Sequence, residues 1–493
     1  MLARLRGVAA LLFLVPLSAQ AGFSCADVLA ALSNVLVDAT CFASTDLTTN
    51  NPQTTPANNS MPGLPTGAFT PQSDRDVIAP SASKRDPITA AVPGLQIQAR
   101  MKQDELGQAR FLLRLPRDNW NGKLVVAGAS GTRSEFNGDF AWSDFVLQQG
   151  YAYASQNKGV YNLRFSNAAD PLACRLNPDL AFYVHFYDND DGQVFTRWMD
   201  FMIRAGRIAQ SGVAAAYGSA PRYTYAVGTS NGGYQVRRAI EKAPDVFSGG
   251  VDWEGTFVDE HAPNLLTDLP PAVLNYPDYR NPTVANFSAN STAAKNIRAA
   301  GYPPDIVNST SPVVTFWNNH WNSFWEVTQC QWQKRLDPGY DTYGSGTGTY
   351  NYVSRLSYSD VGAQMAAFAT SGKIQRPLVT VAGTMDALLP IDHHARAYAR
   401  AVADAAEVSA KHGGGAPAYS LYEIQNGNHI ETYQDTFPQL ELIYPHAHRA
   451  FNVLVDHVER GSTLPPSQCV PRGGVTISDT PAQPGHCTTL FVP

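Results

Sequence analysis

The chain of 493 residues has no concentrated block of lysine or arginine, and its formal net charge is -6. Nucleic-acid binding needs a concentrated basic surface, so this class of partner is excluded. No apolar run beyond the N terminus is long enough to cross a bilayer, and none of the 6 cysteines belongs to a Cys-x-x-Cys pair. We therefore expect no membrane span, no structural zinc and no other metal or cofactor.

The first residues have the parts of a cleavable export signal. Arg4 and Arg6 precede a short apolar stretch that runs to about Pro16, and an Ala-x-Ala end follows at Ala21. This order is typical of a secretory signal at residues 1–21. We expect cleavage near Ala21 and a secreted or periplasmic protein. The sequence leaves open which of these compartments applies and what the oligomeric state is.

The cysteines are even in number, which in an exported chain suits three disulfides. Two near pairs would each close a short loop at one end of the chain, and the third pair is left by elimination. The predicted pairs are Cys25–Cys41, Cys469–Cys487 and, last, Cys174–Cys330.

Short apolar strands alternate with helical patterns over most of the chain. Lys123–Ala127, Tyr223–Val227 and Pro377–Ala382 have the composition of buried strands, and residues 193–217 have a long helical pattern. Strands that alternate with helices predict an α/β protein with a mostly parallel sheet and helices on both faces.

Residues 256–375 interrupt this alternation. They contain Trp317, Trp321, Trp325 and Trp332, which are half of the 8 tryptophans. The first three recur every four residues and so indicate a buried helical stripe. We expect an inserted lid over the site, with some of its aromatic residues touching substrate. The predicted divisions are a signal at 1–21, a core in two parts at 22–255 and 376–493, and a large inserted lid at 256–375.

The run Gly228-Thr229-Ser230-Asn231-Gly232 lies between an apolar strand and a helical pattern that continues to about Lys242. The two glycines leave room for a strained strand-to-helix turn that exposes the serine between them. The helix that follows directs N–H groups and a partial positive charge at a developing oxyanion. This arrangement predicts the α/β-hydrolase fold, with Ser230 as the nucleophile.

A serine hydroxyl needs a general base, and in this fold the acid and the base each follow a later strand. Asp386 ends the strand that precedes it, and His429 comes 43 residues later, after another strand. We predict that Asp386 orients His429 and that His429 takes the proton of Ser230. His393, His394, His446 and His448 are the rival histidines, but they lie in helical patterns.

An oxyanion hole needs two N–H donors. The backbone of Asn231, directly after the nucleophile, is the first predicted donor. The second is expected in the loop after Lys123–Ala127, where Ala129 is preferred and Ser130 is the next choice.

Three stretches resemble the tannase and feruloyl esterase family. They are Tyr217–Gln235, Leu115–Lys123 and Tyr151 with its two neighbours. The resemblance covers roughly residues 95–250 and 375–460. It implies a secreted esterase that acts on aromatic esters, such as galloyl, feruloyl or terephthalate half-esters.

Two departures from that family stand out. The family typically has bridged cysteines just before the serine and just after the histidine, where this chain has Thr229 and Ile430. Its lid commonly binds calcium through an acidic, glycine-rich loop, and residues 256–375 contain no such loop. The acidic run Asp188–Gly192 lacks a closing glutamate, so we interpret it as a surface turn.

A weaker resemblance concerns the 3-hydroxybutyrate oligomer hydrolases, whose substrates are aliphatic polyester fragments. It rests on the Ser-Asn-Gly-Gly run that begins at Ser230 and on the loop around Ser130. We predict that Ser130, Trp253 and Glu254 contact substrate. Glu254 would either lie near the acyl pocket or pair with an arginine of the lid, and the second interpretation is preferred.

Three functions follow from these residues. The leading one is a serine carboxylic-ester hydrolase for aromatic or, alternatively, aliphatic esters. The second is an amidase or peptidase that uses the same residues. The third is a non-catalytic binding protein with this fold, which usually lacks one of the three residues, whereas Ser230, Asp386 and His429 are all present.

Overall fold

A computed structural model of the chain describes residues 23–493, apart from residues 60, 62, 65–66, 105, 132–133, 162, 166–172, 178, 180–181, 186–194, 281–290, 312 and 341–349. The export signal predicted at residues 1–21 and the acidic turn predicted at 188–192 lie outside the described residues.

The described helices are α1 (Cys25–Leu32), α2 (Pro71–Asp76), α3 (Asp144–Leu147), α4 (Thr196–Tyr217), α5 (Asn231–Lys242), α6 (Leu265–Tyr279), α7 (Thr292–Ala299), α8 (Phe316–Ser323), α9 (Trp325–Leu336), α10 (Tyr352–Arg355), α11 (Val361–Phe368), α12 (Ala395–Lys411), α13 (Tyr433–Thr436) and α14 (Tyr444–Arg460). The described strands are β1 (Leu36–Ser44), β2 (Gly94–Met101), β3 (Arg110–Pro116), β4 (Lys123–Gly128), β5 (Ala152–Gln156), β6 (Leu163–Phe165), β7 (Cys174–Arg175), β8 (Tyr183–His185), β9 (Tyr223–Thr229), β10 (Gly249–Trp253), β11 (Leu378–Gly383), β12 (Tyr419–Ile424) and β13 (Gln468–Val470).

Ten of the described strands form one sheet in the order β1-β2-β3-β5-β4-β9-β10-β11-β12-β13. The pairs β1–β2, β2–β3 and β3–β5 are antiparallel. Every pair from β5 through β4 and β9 to β13 is parallel. The predicted α/β architecture with a mostly parallel sheet is therefore confirmed. The carboxyl ends of the parallel strands meet at one edge, and this is where such sheets place their ligand sites.

The sheet is covered on both faces, as the alternation along β4 shows. Leu124 and Val126 belong to one apolar core, together with residues of α4, α5 and α12. Val125 and Ala127 belong to a second core on the other face, together with residues of α14. Because successive side chains of a strand point to opposite faces, a run that is apolar throughout is the expected pattern for a doubly covered strand.

The N-terminal region differs from its prediction. The run Ala26–Leu29 between Cys25 and Cys41 predicts a small disulfide-tied helix within residues 22–44, but α1 ends at Leu32 and is followed by the edge strand β1. Alternate side chains of β1 are only partly buried, so the strand lacks a strong apolar signal. The Asp38 backbone has a φ of 52°, which interrupts the pairing of β1 with β2 between Val37 and Thr40.

The described parts of the inserted segment 256–375 contain the helices α6 to α11, which are joined by turns and loops. Trp317, Trp321 and Trp325 are all buried, so the predicted buried stripe is confirmed. It is divided between α8 and α9, because the backbone leaves the helical region at Phe324. The core of the insertion also contains Met385, Ala387, Leu388 and Leu389, so the insertion packs on the loop that follows β11.

Three disulfides join the predicted pairs Cys25–Cys41, Cys174–Cys330 and Cys469–Cys487. The second of these connects β7 of the small three-stranded sheet to α9 of the insertion. Within the part of the chain that is described, none of the helices combines the length and the hydropathy that a bilayer crossing needs.

Candidate active site

Strand β9 passes into α5 through a sharp turn at Ser230. The Ser230 backbone has a φ of 59° and a ψ of -123°, a conformation that costs free energy for a residue with a side chain and that recurs at functional sites. A Cβ atom on Gly232 would lie 2.5 Å from the carbonyl oxygen of Gly128, and one on Gly228 would collide with the Gly232 backbone. The turn therefore requires glycine at both positions, as the sequence predicts.

Asp386 and His429 lie beyond the ends of the neighbouring parallel strands β11 and β12. The His429 Nδ1 atom lies 2.7 Å from Asp386 Oδ2. Asp386 Oδ1 accepts hydrogen bonds from the backbone N–H groups of Leu388, at 2.8 Å, and Leu389, at 2.7 Å. These bonds fix the carboxylate so that its other oxygen faces the imidazole. An Nδ1–H that donates to Asp386 leaves Nε2 as the basic nitrogen.

The electrostatic surroundings favour a protonated His429. Burial alone would lower the pKa of His429, but the charge and hydrogen bond of Asp386, and then the charge of Glu254, raise it above its ordinary value. The imidazole is therefore suited to receive a proton. Among the described residues, no hydrogen bond is present between Ser230 Oγ and His429. Contacts of this kind often tighten only when substrate is bound.

Glu254 directly follows β10, and its side chain is 2% exposed. Its Oε1 accepts a hydrogen bond from the Gly383 N–H at 2.9 Å, and its Oε2 lies 3.6 Å from His429 Nδ1. No arginine pairs with Glu254 among the described residues, so the predicted contact with a lid arginine is wrong. Burial and the charge of Asp386 raise the pKa of Glu254 to about 8.

Glu254, Asp386 and His429 also form a group of potential metal ligands. Their ligand atoms all lie within 4.8 Å of one another. A metal bound at Nδ1 would have to displace the hydrogen bond between His429 and Asp386. The structure has a contact of 2.7 Å between His429 Nδ1 and Asp386 Oδ2, and acid–base chemistry at His429 needs this contact.

The backbone N–H groups in the loop after β4, where the second oxyanion donor was predicted, differ in whether they already have a hydrogen-bond acceptor. The N–H of Ala129 donates to Gln235 Oε1 at 3.1 Å, so the prediction that Ala129 supplies the second donor does not agree with the structure. The N–H of Ser130 donates to Asn137 Oδ1 at 3.2 Å. Among the described residues, no acceptor faces the N–H of Gly131, whose φ is 45°.

A buried lysine holds this loop from behind. Lys158 is fully buried, and its Nζ donates to the carbonyl oxygens of Ala129, at 2.8 Å, and Ser130, at 3.3 Å, and also to that of Gly131. Because a carbonyl and the next N–H of a trans peptide point in opposite directions, carbonyls turned toward Lys158 leave the following N–H groups turned away from it. The Asn231 side chain adds a second tie, since its Nδ2 donates to the Gly131 carbonyl at 3.0 Å.

Ser230 and His429 open into the same cavity, which has a volume of about 70 Å³. Its walls are mainly aliphatic and hydroxyl-bearing. The lining residues are Ile78, Ser130, Gly131, Thr229, Ser230, Asn231, Thr256, Leu265, Phe324, Thr328, Leu388, Leu389, His429 and Ile430.

Of the three predicted substrate contacts, the cavity includes Ser130 and leaves out Trp253 and Glu254. Trp253 instead packs edge-on against Trp142 inside the core, with ring centroids 6.2 Å apart. The insertion contributes Leu265, Phe324 and Thr328 to the wall. Phe324 is the aromatic side chain that lines this cavity among the described residues.

Comparison with solved structures identifies the fold. The chain aligns with an esterase from Aspergillus oryzae at a TM-score of 0.52 and 14% identity, and with feruloyl esterase B from Aspergillus oryzae at 0.51 and 13%. Each alignment covers 90% of this chain and 90% of the other. The chain has the α/β-hydrolase fold.

Comparison of sequences points to a second family. The 3HB-oligomer hydrolase family matches residues 348–490, a stretch that contains Asp386 and His429. D-(-)-3-hydroxybutyrate oligomer hydrolases are 36% identical over 123 residues in Burkholderia thailandensis and 34% identical over 123 residues in Burkholderia mallei. Each alignment covers 23% of this chain and 16% of the relative. Both resemblances predicted from the sequence are thus confirmed, one in fold and the other in sequence.

Three of the four rival histidines have other partners in this α/β-hydrolase. His393 Nδ1 and His394 Nε2 lie 3.1 and 3.4 Å from the carboxylate of Asp268 on α6. His448 Nε2 lies 2.7 Å from the carbonyl oxygen of Ala141. None of these histidines lines the cavity that Ser230 opens into.

Sequence reasoning missed the roles of two buried ionisable residues. Lys158 holds the loop after β4, and Glu254 lies beside His429. Both have a positive φ, 63° for Lys158 and 49° for Glu254. A non-glycine residue in this region is uncommon, but it leaves no mark in the sequence. The available signal was position alone, because Glu254 directly follows a strand at the edge where functional side chains gather.

Proposed function

We propose that the protein is a serine carboxylic-ester hydrolase that works through an acyl-enzyme. The observation that carries the proposal is the strained turn at Ser230, which opens into the same cavity as His429, whose Nδ1 is hydrogen-bonded to Asp386. In this mechanism Ser230 Oγ attacks the ester carbonyl while His429 Nε2 accepts its proton. His429 then protonates the leaving alcohol, and water repeats the sequence to release the acid.

The tetrahedral oxyanion needs two donors, which we assign to the backbone N–H groups of Asn231 and Gly131. Asn231 begins α5, so its N–H has no partner inside the helix. Gly131 lines the cavity, and the Ser130 carbonyl, which shares a peptide plane with the Gly131 N–H, accepts a hydrogen bond from Lys158 at 3.3 Å. Donors fixed in advance lower the barrier because they need no reorganisation as charge develops.

We assign the acyl group to the short aliphatic hydroxy acids, such as 3-hydroxybutyrate and its oligomers. The walls of the cavity are mainly aliphatic and hydroxyl-bearing, and Phe324 is the aromatic side chain that lines it among the described residues. The name of the relatives that match in sequence supports the same class, although the alignment covers 16% of their length.

We also propose that the chain is exported to the periplasm or the medium. Three disulfides support this, because such bonds persist in oxidising compartments. The mass of the protein recovered outside the cytoplasm should correspond to a chain that begins near Gly22.

The decisive experiment is a panel of esters given to the wild type, to Ser230→Ala and to the control Ser211→Ala, which alters an exposed serine of α4. The panel contains a 3-hydroxybutyrate dimer, methyl ferulate, methyl gallate, mono-hydroxyethyl terephthalate and short p-nitrophenyl esters. We expect the dimer to be preferred, Ser230→Ala to lose at least ~10³-fold in kcat, and Ser211→Ala to match the wild type. A preference for an aromatic ester would overturn the acyl assignment alone. Wild-type activity in Ser230→Ala would overturn the mechanism.

A further inference from the structure

His429 is flanked by two carboxylates that come from the ends of two neighbouring strands. Asp386 follows β11 and lies 2.7 Å from His429 Nδ1. Glu254 follows β10, and its Oε2 lies 3.6 Å from the same nitrogen. A serine hydrolase mechanism uses one acid at this position, so the second carboxylate needs an explanation.

Two hydrogen bonds hold Glu254 in place. Its backbone N–H donates to the Val381 carbonyl at 2.8 Å, and its Oε1 accepts from the Gly383 N–H at 2.9 Å. Its backbone φ is 49°. Strained residues persist where the surrounding structure over-determines them, and they cluster at functional sites.

The other oxygen of Glu254 lacks a hydrogen bond of ordinary geometry. Oε2 is buried and has no such partner among the described residues, while the neighbouring Trp253 side chain lies close enough to lower the pKa of the carboxyl. A buried carboxylate oxygen without a partner is costly. The nearby basic group is the imidazole of His429, which becomes a cation during the reaction.

We propose that Glu254 is a positioning residue, a reserve acid that can replace Asp386 as the hydrogen-bond acceptor of His429 and that adds its charge to that of Asp386 only when it ionises. This inference rests on the proposed function, in which His429 is the general base. It differs from the role predicted from the sequence, because Glu254 acts on the histidine and does not line the substrate cavity.

The charges around Glu254 are consistent with a reserve role. The titratable groups that face it are Asp386, His429 and the buried Glu431. Burial and the charge of Asp386 raise the pKa of Glu254 to about 8, so near neutral pH it is mostly protonated while Asp386 carries the negative charge. Removal of the Asp386 charge removes one cause of that raised pKa. Glu254 then ionises more readily and can accept the Nδ1–H bond.

The test compares Asp386→Ala, Glu254→Gln and the double variant. We measure kcat and KM from pH 6 to 10, the rate of Ser230 labelling by a fluorophosphonate, and the melting temperature. Loss of the acid from a serine protease triad lowers kcat by roughly 10⁴-fold. Because Glu254 substitutes for it, we expect Asp386→Ala to lose only about 10²-fold, with KM unchanged. The double variant should lose the full ~10⁴-fold.

The pH profiles separate this role from a structural one. In Asp386→Ala, kcat should rise with pH as Glu254 ionises, and this rise should be absent from the double variant. In Glu254→Gln alone, kcat at neutral pH should change less than ~10-fold, and the inflection near pH 8 should disappear. If Asp386→Ala and the double variant are equally inactive at every pH, Glu254 is not a second acid.

Asp386 also accepts two backbone hydrogen bonds, so Asp386→Ala could unfold. Asp386→Ser keeps a hydroxyl oxygen that can accept there, without the amide NH₂ that asparagine would direct at Nδ1 in place of an acceptor, and it supplies the same comparison, with and without Glu254→Gln. A wild type that neither cleaves esters nor reacts with the fluorophosphonate would refute the proposed function. A labelled, active wild type whose Asp386 variants are indifferent to Glu254 would refute only this inference.

Discussion

The turn at Ser230 and the inserted helices α6 to α11 depend on different kinds of contact. At the turn, backbone meets backbone, since Gly128, Gly228 and Gly232 approach so closely that a Cβ on any of them would collide. In the insertion, large aromatic side chains pack on one another and on the loop after Asp386. Backbone contact tolerates no added atom, whereas side-chain packing can adjust to a change of shape. A substitution at the turn should therefore have the larger effect on activity.

The largest effect is expected for Gly232→Ala. The new Cβ would lie 2.5 Å from the Gly128 carbonyl oxygen, so the nucleophile turn must shift. Overpacking of this kind costs about 1–3 kcal/mol of stability, and a displacement of about 1 Å lowers activity by roughly 10²-fold. Kinetics and the melting temperature test this. Gly415→Ala is the matched control, because no atom lies within 4 Å of its added Cβ. Equal activity of the two variants would contradict the comparison.

An intermediate effect is expected where the insertion touches the site. Trp325 Nε1 donates to the Ala387 carbonyl at 2.7 Å, one residue after Asp386. Trp325→Phe keeps most of the packing but leaves a buried carbonyl unpaired, at a cost of about 1–3 kcal/mol. We expect a lower melting temperature and a severalfold lower kcat. Trp321→Phe is the control, since that buried indole N–H has no hydrogen-bond partner among the described residues. If Trp321→Phe lowers the melting temperature and kcat more than Trp325→Phe does, the hydrogen bond from Trp325 to Ala387 is not important for the site.

The smallest effect concerns the pH dependence of the contact between the insertion and the core. Burial would lower the pKa of His393, but Asp268 raises it above its usual 6.5. The stability from this pair is fully present below pH 6.5 and is lost as pH rises through the raised pKa. At His394 burial outweighs the effect of Asp268 and lowers the pKa of the imidazole. The pKa of Asp268 is lowered as well, so both groups change the stability of the protein below pH 6.5.

The melting temperature of the wild type should therefore fall as pH rises above 6.5, by an extra amount of about 2 °C. His393→Gln should remove this component, whereas His412→Gln, at the exposed histidine that directly follows α12, should retain it. A fall of the same size in both variants would show that the Asp268 contact does not stabilise the insertion.

The sequence allowed prediction of the parts that depend on backbone rules and covalent bonds. The sheet class, the glycines around Ser230, the strand-end positions of Asp386 and His429 and the three disulfides all follow from spacing along the chain. Two contacts could not be predicted. One is the contact of Glu254 with His429, and the other is the hydrogen bond that the Ala129 N–H donates to Gln235. Both depend on side chains from distant segments, namely His429 at 3.6 Å and Gln235 at 3.1 Å. No local pattern encodes such contacts.

The disulfide between Cys174 and Cys330 makes residues 174–330 a covalent ring. Ser230 lies on this ring, and Asp386 and His429 lie outside it. One proteolytic cut between Cys174 and Cys330 would leave a nicked protein whose two fragments stay joined by the disulfide. A cut between Cys330 and Asp386 would divide the chain into two fragments held together only by packing, with the nucleophile on one and the acid and base on the other. Non-reducing gels of the cleaved protein can therefore distinguish the two cuts.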